Sequence, residues 1–145
     1  MYAIYKGKRY DCGTGCDKQK IKLLSDDDII GFDFRYGKYE KIVNNTDCDR
    51  IFLEYKLFLY KEFLCFYEVL PDGKLKIDPL SPSDMSQYGF EGYRENYYKI
   101  VNSDEGQFVI RIEDYSVDSS GARQFKSCVD YLLNDDGSKS ILHIE

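Results

Sequence analysis

The chain has 145 residues, among them 14 Tyr and 9 Phe but no Trp, and a formal net charge of −6. A hydrophobic fraction of 43% can supply a core, which argues against a disordered chain. The excess of acidic residues, without any Lys/Arg cluster, argues against a nucleic-acid-binding protein, whose surface needs a basic stripe. The negative charge serves either solubility alone or the attraction of a basic partner.

The cysteines and the N-terminal residues indicate a cytoplasmic protein. The five cysteines lack the regular spacing of a disulfide scaffold, so we expect free thiols at Cys12, Cys16, Cys48, Cys65 and Cys128. Residues 1–10 carry Lys and Tyr where a secretion signal needs an uninterrupted apolar run. The apolar-rich stretch 51–70 is interrupted by charged residues, so we expect no membrane span.

Read in chain order, the N-terminal part alternates short strands with glycine turns. We predict four strands and one short helix, which starts at Ser25 as its N-cap and ends at Gly31. The four strands are Tyr2–Lys6, Lys8–Cys12, Lys20–Leu24 and Tyr39–Val43.

The next part of the chain reads in the same way. We predict strands at Leu57–Tyr60, Phe63–Leu70, Lys74–Ile77 and Tyr97–Val101, with a second short helix that starts at Ser81 and ends at Gly89.

Part of the sequence is repeated. Gly31-Phe32 recurs as Gly89-Phe90, and Lys41-Ile42-Val43-Asn44 recurs at the same spacing as Lys99-Ile100-Val101-Asn102. We therefore predict a duplication, with copy one at 1–52 and copy two at 53–106. In both copies we expect the same core positions: Phe32 and Phe90, Ile42 and Ile100.

The remaining residues, 107–145, do not match the copies. We predict a strand at Gln107–Glu113, a loop at Ser116–Gly121 and a final strand at Ser140–Ile144. Between them, apolar residues at helical spacing predict a helix from about 122 to 134, with a stripe formed by Phe125, Cys128, Val129, Leu132 and Leu133. The fold class is thus β-rich α+β: two tandem SH3-like β-meander units, each with one short helix, and a C-terminal strand-helix-strand element packed on them.

No catalytic or metal-binding constellation stands out. His143 is the only histidine, so a triad or a Cys-His pair would depend on it alone. Cys12 and Cys16 supply half of a zinc site, and Asp47 and Asp49 lack the Gly and Glu of a calcium loop. We expect no cofactor, no metal and no enzymatic activity, with an enzyme of unrecognised type as a remaining alternative.

Tyrosines and acidic residues occur together in both copies. Tyr is enriched at binding hot spots because its ring buries area at low entropy cost while its hydroxyl finds a partner. The alternative is that many of these rings fill a small β core. On the first interpretation the candidate partner-binding residues are Asp33, Tyr36, Tyr39, Asp47, Asp49, Glu91, Tyr93 and Tyr97.

The segment 2–10 (Tyr-Ala-Ile-Tyr-Lys-Gly-Lys-Arg-Tyr), the pair Gly31-Phe32 and the strand Tyr39-x-Lys41-Ile42-Val43 resemble small bacterial immunity proteins of polymorphic-toxin and contact-dependent growth inhibition systems. The resemblance implies a non-enzymatic protein that binds and neutralises a cognate toxin, often a basic nuclease, in the cytoplasm. The alternative is an adaptor of tandem SH3-like barrels that binds a peptide. Neither nucleic acid nor membrane is expected as a partner.

Overall fold

The computed structural model describes residues 1–81, 88–93 and 96–144, with the backbone alone for residue 93. Within these ranges the protein is all-β: thirteen antiparallel strands belong to one hydrogen-bonded sheet. These ranges contain no α-helix; they contain two short 3₁₀ turns, and Tyr88 is also in 3₁₀ conformation. The expectation of a β-rich protein is confirmed, and the α-helical part of the prediction is wrong wherever the structure describes it.

The first five strands form a run with the spatial order β4-β5-β3-β2-β1. Glycine-containing two-residue turns connect β1 to β2 and β4 to β5, which allows tight antiparallel hairpins. A first 3₁₀ turn, Asn45–Asp47, follows the run. The strands are β1 (Tyr2–Tyr5), β2 (Lys8–Gly13), β3 (Lys20–Ser25), β4 (Asp33–Arg35) and β5 (Lys38–Asn44).

The next five strands have the order β6-β7-β8-β10-β9, so each strand has the neighbours of its counterpart in the first run. A second 3₁₀ turn, Ser103–Glu105, follows. The strands are β6 (Arg50–Tyr60), β7 (Phe63–Val69), β8 (Leu75–Pro79), β9 (Glu91–Tyr93) and β10 (Asn96–Val101).

Three strands complete the sheet: the long strands β11 (Gly106–Val117) and β12 (Arg123–Leu133) and the shorter β13 (Lys139–Ile144). β11 pairs with β6 and β12, and β12 pairs with β13. The final strand agrees with the prediction for Ser140–Ile144.

The chain forms two compact units. The first contains Met1–Glu54 and Ile112–Cys128, and the second contains Tyr55–Arg111 and Val129–Ile144. The core of the first unit is formed by Ala3, Tyr10, Ile21, Leu23, Val43 and Ile51. The core of the second unit is formed by Phe58, Tyr60, Cys65, Leu75, Ile77, Phe90 and Val101.

The helix predicted at 122–134 is wrong, because this segment is strand β12. Its buried side chains include both Cys128 and Asp130, which alternate as strand residues do. Asp130 lies inside because Arg111 neutralises it with two hydrogen bonds. A buried acid cannot be recognised in the hydrophobic pattern, so the helical spacing of the apolar residues was misleading.

The short helix predicted after Ser25 is also wrong. Ser25 ends β3, and its Oγ accepts a hydrogen bond from the Asp27 N–H over 3.0 Å. The Phe32 N–H then donates to the Ile29 carbonyl, and Gly31 adopts a φ of 90°. The residues form a bend and a turn because Ser and Asp offer the backbone alternatives to helical hydrogen bonds. The second predicted helix, after Ser81, falls largely outside the described residues.

The predicted core positions are partly correct. Phe90 is buried and Phe32 packs against the core of its unit, as predicted. Ile42 and Ile100 are not core residues, since each is 52% exposed. Successive residues of a strand face opposite sides, so only one of two adjacent apolar residues can point inward, and Val43 and Val101 do so.

Candidate functional site

The segment 26–38 of the first unit, a loop followed by the β4–β5 hairpin, exposes large apolar side chains. Ile30 and Tyr36 are fully exposed, at 101% and 102%, and Phe34 is 63% exposed. Single exposed apolar residues are ordinary, but several within one short segment favour a contact surface. This 26–38 segment is the best candidate for a functional site.

The backbone presents Tyr36 at the end of the hairpin. Arg35 pairs with Lys38, and the two residues between them, Tyr36 and Gly37, have φ values of 51° and 81°. Such a turn is ordinarily built from Asn-Gly because both residues need a positive φ. A tyrosine there costs on the order of 1 kcal/mol of backbone strain.

The ring of Phe34 rests on that of Tyr39. The two residues are directly opposite in the β4–β5 pair, and their ring centroids lie 5.0 Å apart. Tyr39 is half-buried and Phe34 is exposed, so the exposed ring of Phe34 packs against a ring that is partly within the protein. Aromatic pairs at this distance hold each other in place.

The charges of the segment leave it acidic. Lys38 Nζ donates to Asp26, and this hydrogen bond raises the pKa of Lys38. Arg35 forms an ion pair with Glu40, with Nε and Oε1 separated by 3.5 Å. Both cations of the 26–38 segment therefore have anionic partners. Within the described part of the chain, no salt bridge includes the exposed carboxylates of Asp27, Asp28 and Asp33.

The structure thus brings three of the predicted partner-binding residues, Asp33, Tyr36 and Tyr39, into one hairpin. It gives Asp47 and Asp49 a different environment. The Asp47 carboxylate accepts the Asn44 N–H over 3.3 Å at the first 3₁₀ turn, and the Asp49 carboxylate accepts the Gly7 N–H over 3.2 Å. Both carboxylates therefore stabilise the backbone of the first unit through hydrogen bonds.

The other three candidates lie in the second unit. Glu91 Oε2 accepts a hydrogen bond from the Tyr98 hydroxyl over 2.8 Å, and Tyr97 packs against the core. Tyr93 ends β9, and its side chain lies outside the described residues. Tyr97 therefore contributes to the core. This agrees with the alternative interpretation, in which many of the tyrosine rings fill the core.

Three of the five cysteines lie in surroundings that favour the protonated thiol. Burial raises the pKa of Cys12 and of Cys48 to about 11 and that of Cys65 to about 12, so these thiols are protonated at neutral pH. His143 is exposed on β13, where it is opposite Asp130. The carboxylate of Asp130 accepts two hydrogen bonds from Arg111.

The surface also contains shallow clefts. One in the second unit, of about 590 Å³, is lined by Asp104, Phe108, Leu133 and Asp135 among others. Another in the first unit, of about 390 Å³, is lined by Asn45, Arg50 and Tyr115 among others. The described ranges contain no group of three or more His, Cys, Asp or Glu residues placed to hold a metal ion. They likewise contain no helix long and apolar enough to cross a membrane.

Ile30 and Phe34 are the site residues that sequence reasoning missed. The sequence pattern puts Ile30 in the helix predicted between Ser25 and Gly31 and assigns Phe34 to no element. The available signal is Gly37, because a Gly in a short turn between two strand-like runs indicates the end of a hairpin.

No family model, no curated protein and no solved structure matches the chain. A proposal about its function therefore rests on the sequence and on the geometry described above.

Proposed function

We propose that the protein is a non-enzymatic immunity-type inhibitor that binds a basic protein toxin through the 26–38 segment of its first unit. The observation that supports this proposal best is the complete exposure of Ile30 and Tyr36 beside the carboxylates of Asp27, Asp28 and Asp33. Aromatic and aliphatic side chains surrounded by polar or charged residues are typical of a protein-binding hot spot.

The strain at Tyr36 is a second supporting observation. A tyrosine in a left-handed turn lowers stability, and Asn or Gly would relieve the strain. Lys6 and Lys61 share this conformation, so the strain supports a binding role only in combination with the exposed aromatic ring of Tyr36. The exposed ring makes no packing contribution that would compensate, so binding a partner is the best reason for its presence.

The charge of the chain supports a basic partner. With a formal net charge of −6 and four exposed carboxylates in the segment, one of them paired with Lys38, the protein attracts cationic surfaces and repels anionic ones. A toxin that acts on nucleic acid carries such a surface.

We further propose that the two five-stranded runs are copies of one SH3-like unit. Their strand orders correspond, as do the left-handed residues Lys6 and Lys61 in the first hairpin of each run. Gly31 and Gly89 also share a positive φ, and each precedes a Phe that packs on its core. In this proposal the copies supply the scaffold, and residues that differ between them supply specificity.

Co-expression tests the function. The chain is expressed with the toxin-like open reading frame beside its gene, and growth and complex formation are measured. We expect rescue of growth and a complex that Tyr36→Asn and Ile30→Ser each weaken at least tenfold, as hot-spot truncations do. Failure of the unmodified chain to rescue growth or form a complex contradicts the proposal.

Lys6→Asn provides the matched control. Lys6 and Gly7 form a two-residue hairpin turn with φ values of 50° and 77°, nearly the same as those of Tyr36 and Gly37. The substitution relieves the same backbone strain at a hairpin outside the proposed surface, so we expect unchanged toxin binding. Equal loss of binding in Lys6→Asn and Tyr36→Asn would show that the 26–38 segment is not the binding surface.

A further inference from the structure

Two hairpins of the second unit have the same turn. In the β7–β8 hairpin the Leu70 N–H donates to the Lys74 carbonyl over 2.8 Å, and the Lys74 N–H donates to Asp72 Oδ1 over 3.0 Å. In the β12–β13 hairpin the Asn134 N–H donates to the Ser138 carbonyl over 2.8 Å. There the Ser138 N–H donates to Asp136 Oδ1, again over 2.8 Å.

The strands on either side of the turns correspond too. Tyr67 pairs with Ile77, and Tyr131 pairs with Ile141, at the same distance from the turn. Gly73 and Gly137 adopt φ values of 86° and 85°. The residues Lys139, Ser140 and Ile141 of β13 therefore occupy the positions of Leu75, Lys76 and Ile77 of β8.

The outer edges of the two hairpins differ. On β8 this edge is covered by β10, which pairs antiparallel with Leu75, Lys76 and Ile77, and Leu75 and Ile77 are buried. On β13, among the described residues, the only pairing is with β12. Ile141 is accordingly 64% exposed, although its counterpart Ile77 is fully buried.

The open edge is limited to the first half of β13. The register with β12 shifts between Asp130 and Tyr131, so the correspondence with β8 ends after Ile141. A shift of this kind interrupts regular pairing, which restricts an added strand to the stretch from Lys139 to Ile141. These are the counterparts of the three residues to which β10 pairs on β8.

Lys139 defines the chemistry of the strand that would fit. It stands where β8 has the buried Leu75, which is opposite Val101 of β10. An acidic residue of an added strand at the position of Val101 would lie directly opposite Lys139, and opposite charges in such a pair attract. A residue at the position of Lys99 would lie opposite Ile141, where an apolar side chain fits.

We propose that the outer edge of β13, from Lys139 to Ile141, accepts an antiparallel strand of another protein, with an acidic residue opposite Lys139 and an apolar residue opposite Ile141. This is strand addition to an open sheet edge, in which main-chain hydrogen bonds provide affinity and the facing side chains provide selectivity. The acceptor site is independent of the 26–38 segment.

Two peptides test the proposal. Both carry residues 96–102 of this chain, the β10 segment, with Lys99→Leu and with either Val101→Asp or Val101→Lys. Each is titrated into the full-length protein, and backbone amide shifts and hydrogen exchange are followed by NMR. We expect slower exchange at β13 and about two- to fivefold tighter binding of the Asp peptide, as cross-strand charge pairs give.

A charge reversal distinguishes the site from non-specific association. Lys139→Glu should invert the preference, so that the Lys peptide binds more tightly, whereas Lys74→Glu in the β7–β8 turn should leave the preference unchanged. An absence of protection at β13, a preference that Lys139→Glu does not invert, or faster exchange at β8 through displacement of β10 would each overturn the proposal.

Discussion

Arg111 and Asp130 form a two-point ion pair in the second unit. Arg111 Nε and Nη2 donate to the two carboxylate oxygens of Asp130 over 2.8 and 2.9 Å, and Asp130 is 1% exposed. The pair joins β11 to β12 and explains how a carboxylate is accommodated inside an apolar core.

We expect Asp130→Ala to lower the free energy of unfolding by about 2–3 kcal/mol, because it leaves Arg111 without its carboxylate in a mostly buried position. Urea denaturation measures the change. The double variant Arg111→Met with Asp130→Leu should recover most of the loss, since an apolar pair replaces a buried ion pair at little cost. Equal stability of the single variant and the unmodified protein would contradict this account.

Asn45 connects three segments of the first unit. It is fully buried, and its Nδ2 donates to the Lys18 carbonyl over 2.7 Å and to the Gly121 carbonyl over 2.8 Å. Asn45→Ala should lower the free energy of unfolding by about 2–3 kcal/mol, because two buried acceptors lose their donor. The neighbouring Thr46 is exposed, and Thr46→Ala should change stability by less than about 0.5 kcal/mol. Thermal and urea unfolding measure the stability of both variants, and equal stability of the two would contradict the prediction.

Relief of strain at Tyr36 should be measurable without any partner. Tyr36→Asn is expected to raise the free energy of unfolding by about 0.5–1 kcal/mol, because Asn tolerates the left-handed conformation and the lost ring is fully exposed. Lys6→Asn should have an effect of similar sign and size. A loss of stability in Tyr36→Asn would mean that the ring packs in the folded protein.

The buried thiols predict how stability depends on alkaline pH. The pKa of Cys65 is raised from 9.0 to about 12 in the folded protein, so folding favours the protonated thiol. Its contribution is complete below pH 9 and is lost as the pH rises from 9 towards 12. Urea midpoints at pH 7, 9 and 10.5 should therefore fall above pH 9, and the fall should be smaller in Cys65→Ala. Identical pH profiles of the two proteins would contradict the prediction.

Gly106 is required by a close approach of backbone to core. A Cβ at this position would lie 2.3 Å from the Leu59 carbonyl oxygen and 2.7 Å from the Phe58 ring. Gly106→Ala should thus cost about 2–3 kcal/mol of stability through overpacking. Gly13→Ala is the control, because its Cβ would meet only the flexible side chains of Lys22 and Leu24, at 3.2 Å or more. Thermal unfolding of both variants compares them.

Local sequence patterns predicted most of the strands because their physical causes are local. Alternation of side chains and Gly or Asp at turns require only neighbouring residues, and they located β1, β2, β3, β5, β7 and β10 to within a few residues. The 3.6-residue spacing in 122–134 was misleading because strand pairing with β11 and the ion pair of Asp130 outweigh it.

The same distinction between local and tertiary causes applies to the candidate site. The sequence by itself determined that the protein is acidic, rich in tyrosine and β-rich, and it identified Asp33, Tyr36 and Tyr39 as candidates. Only the tertiary structure decided that the Asp49 carboxylate accepts a hydrogen bond from the Gly7 N–H. It also decided that Tyr97 packs against the core while Tyr36 is exposed. Composition depends on the chain alone, whereas exposure and hydrogen bonding depend on which distant residues the fold brings to each side chain.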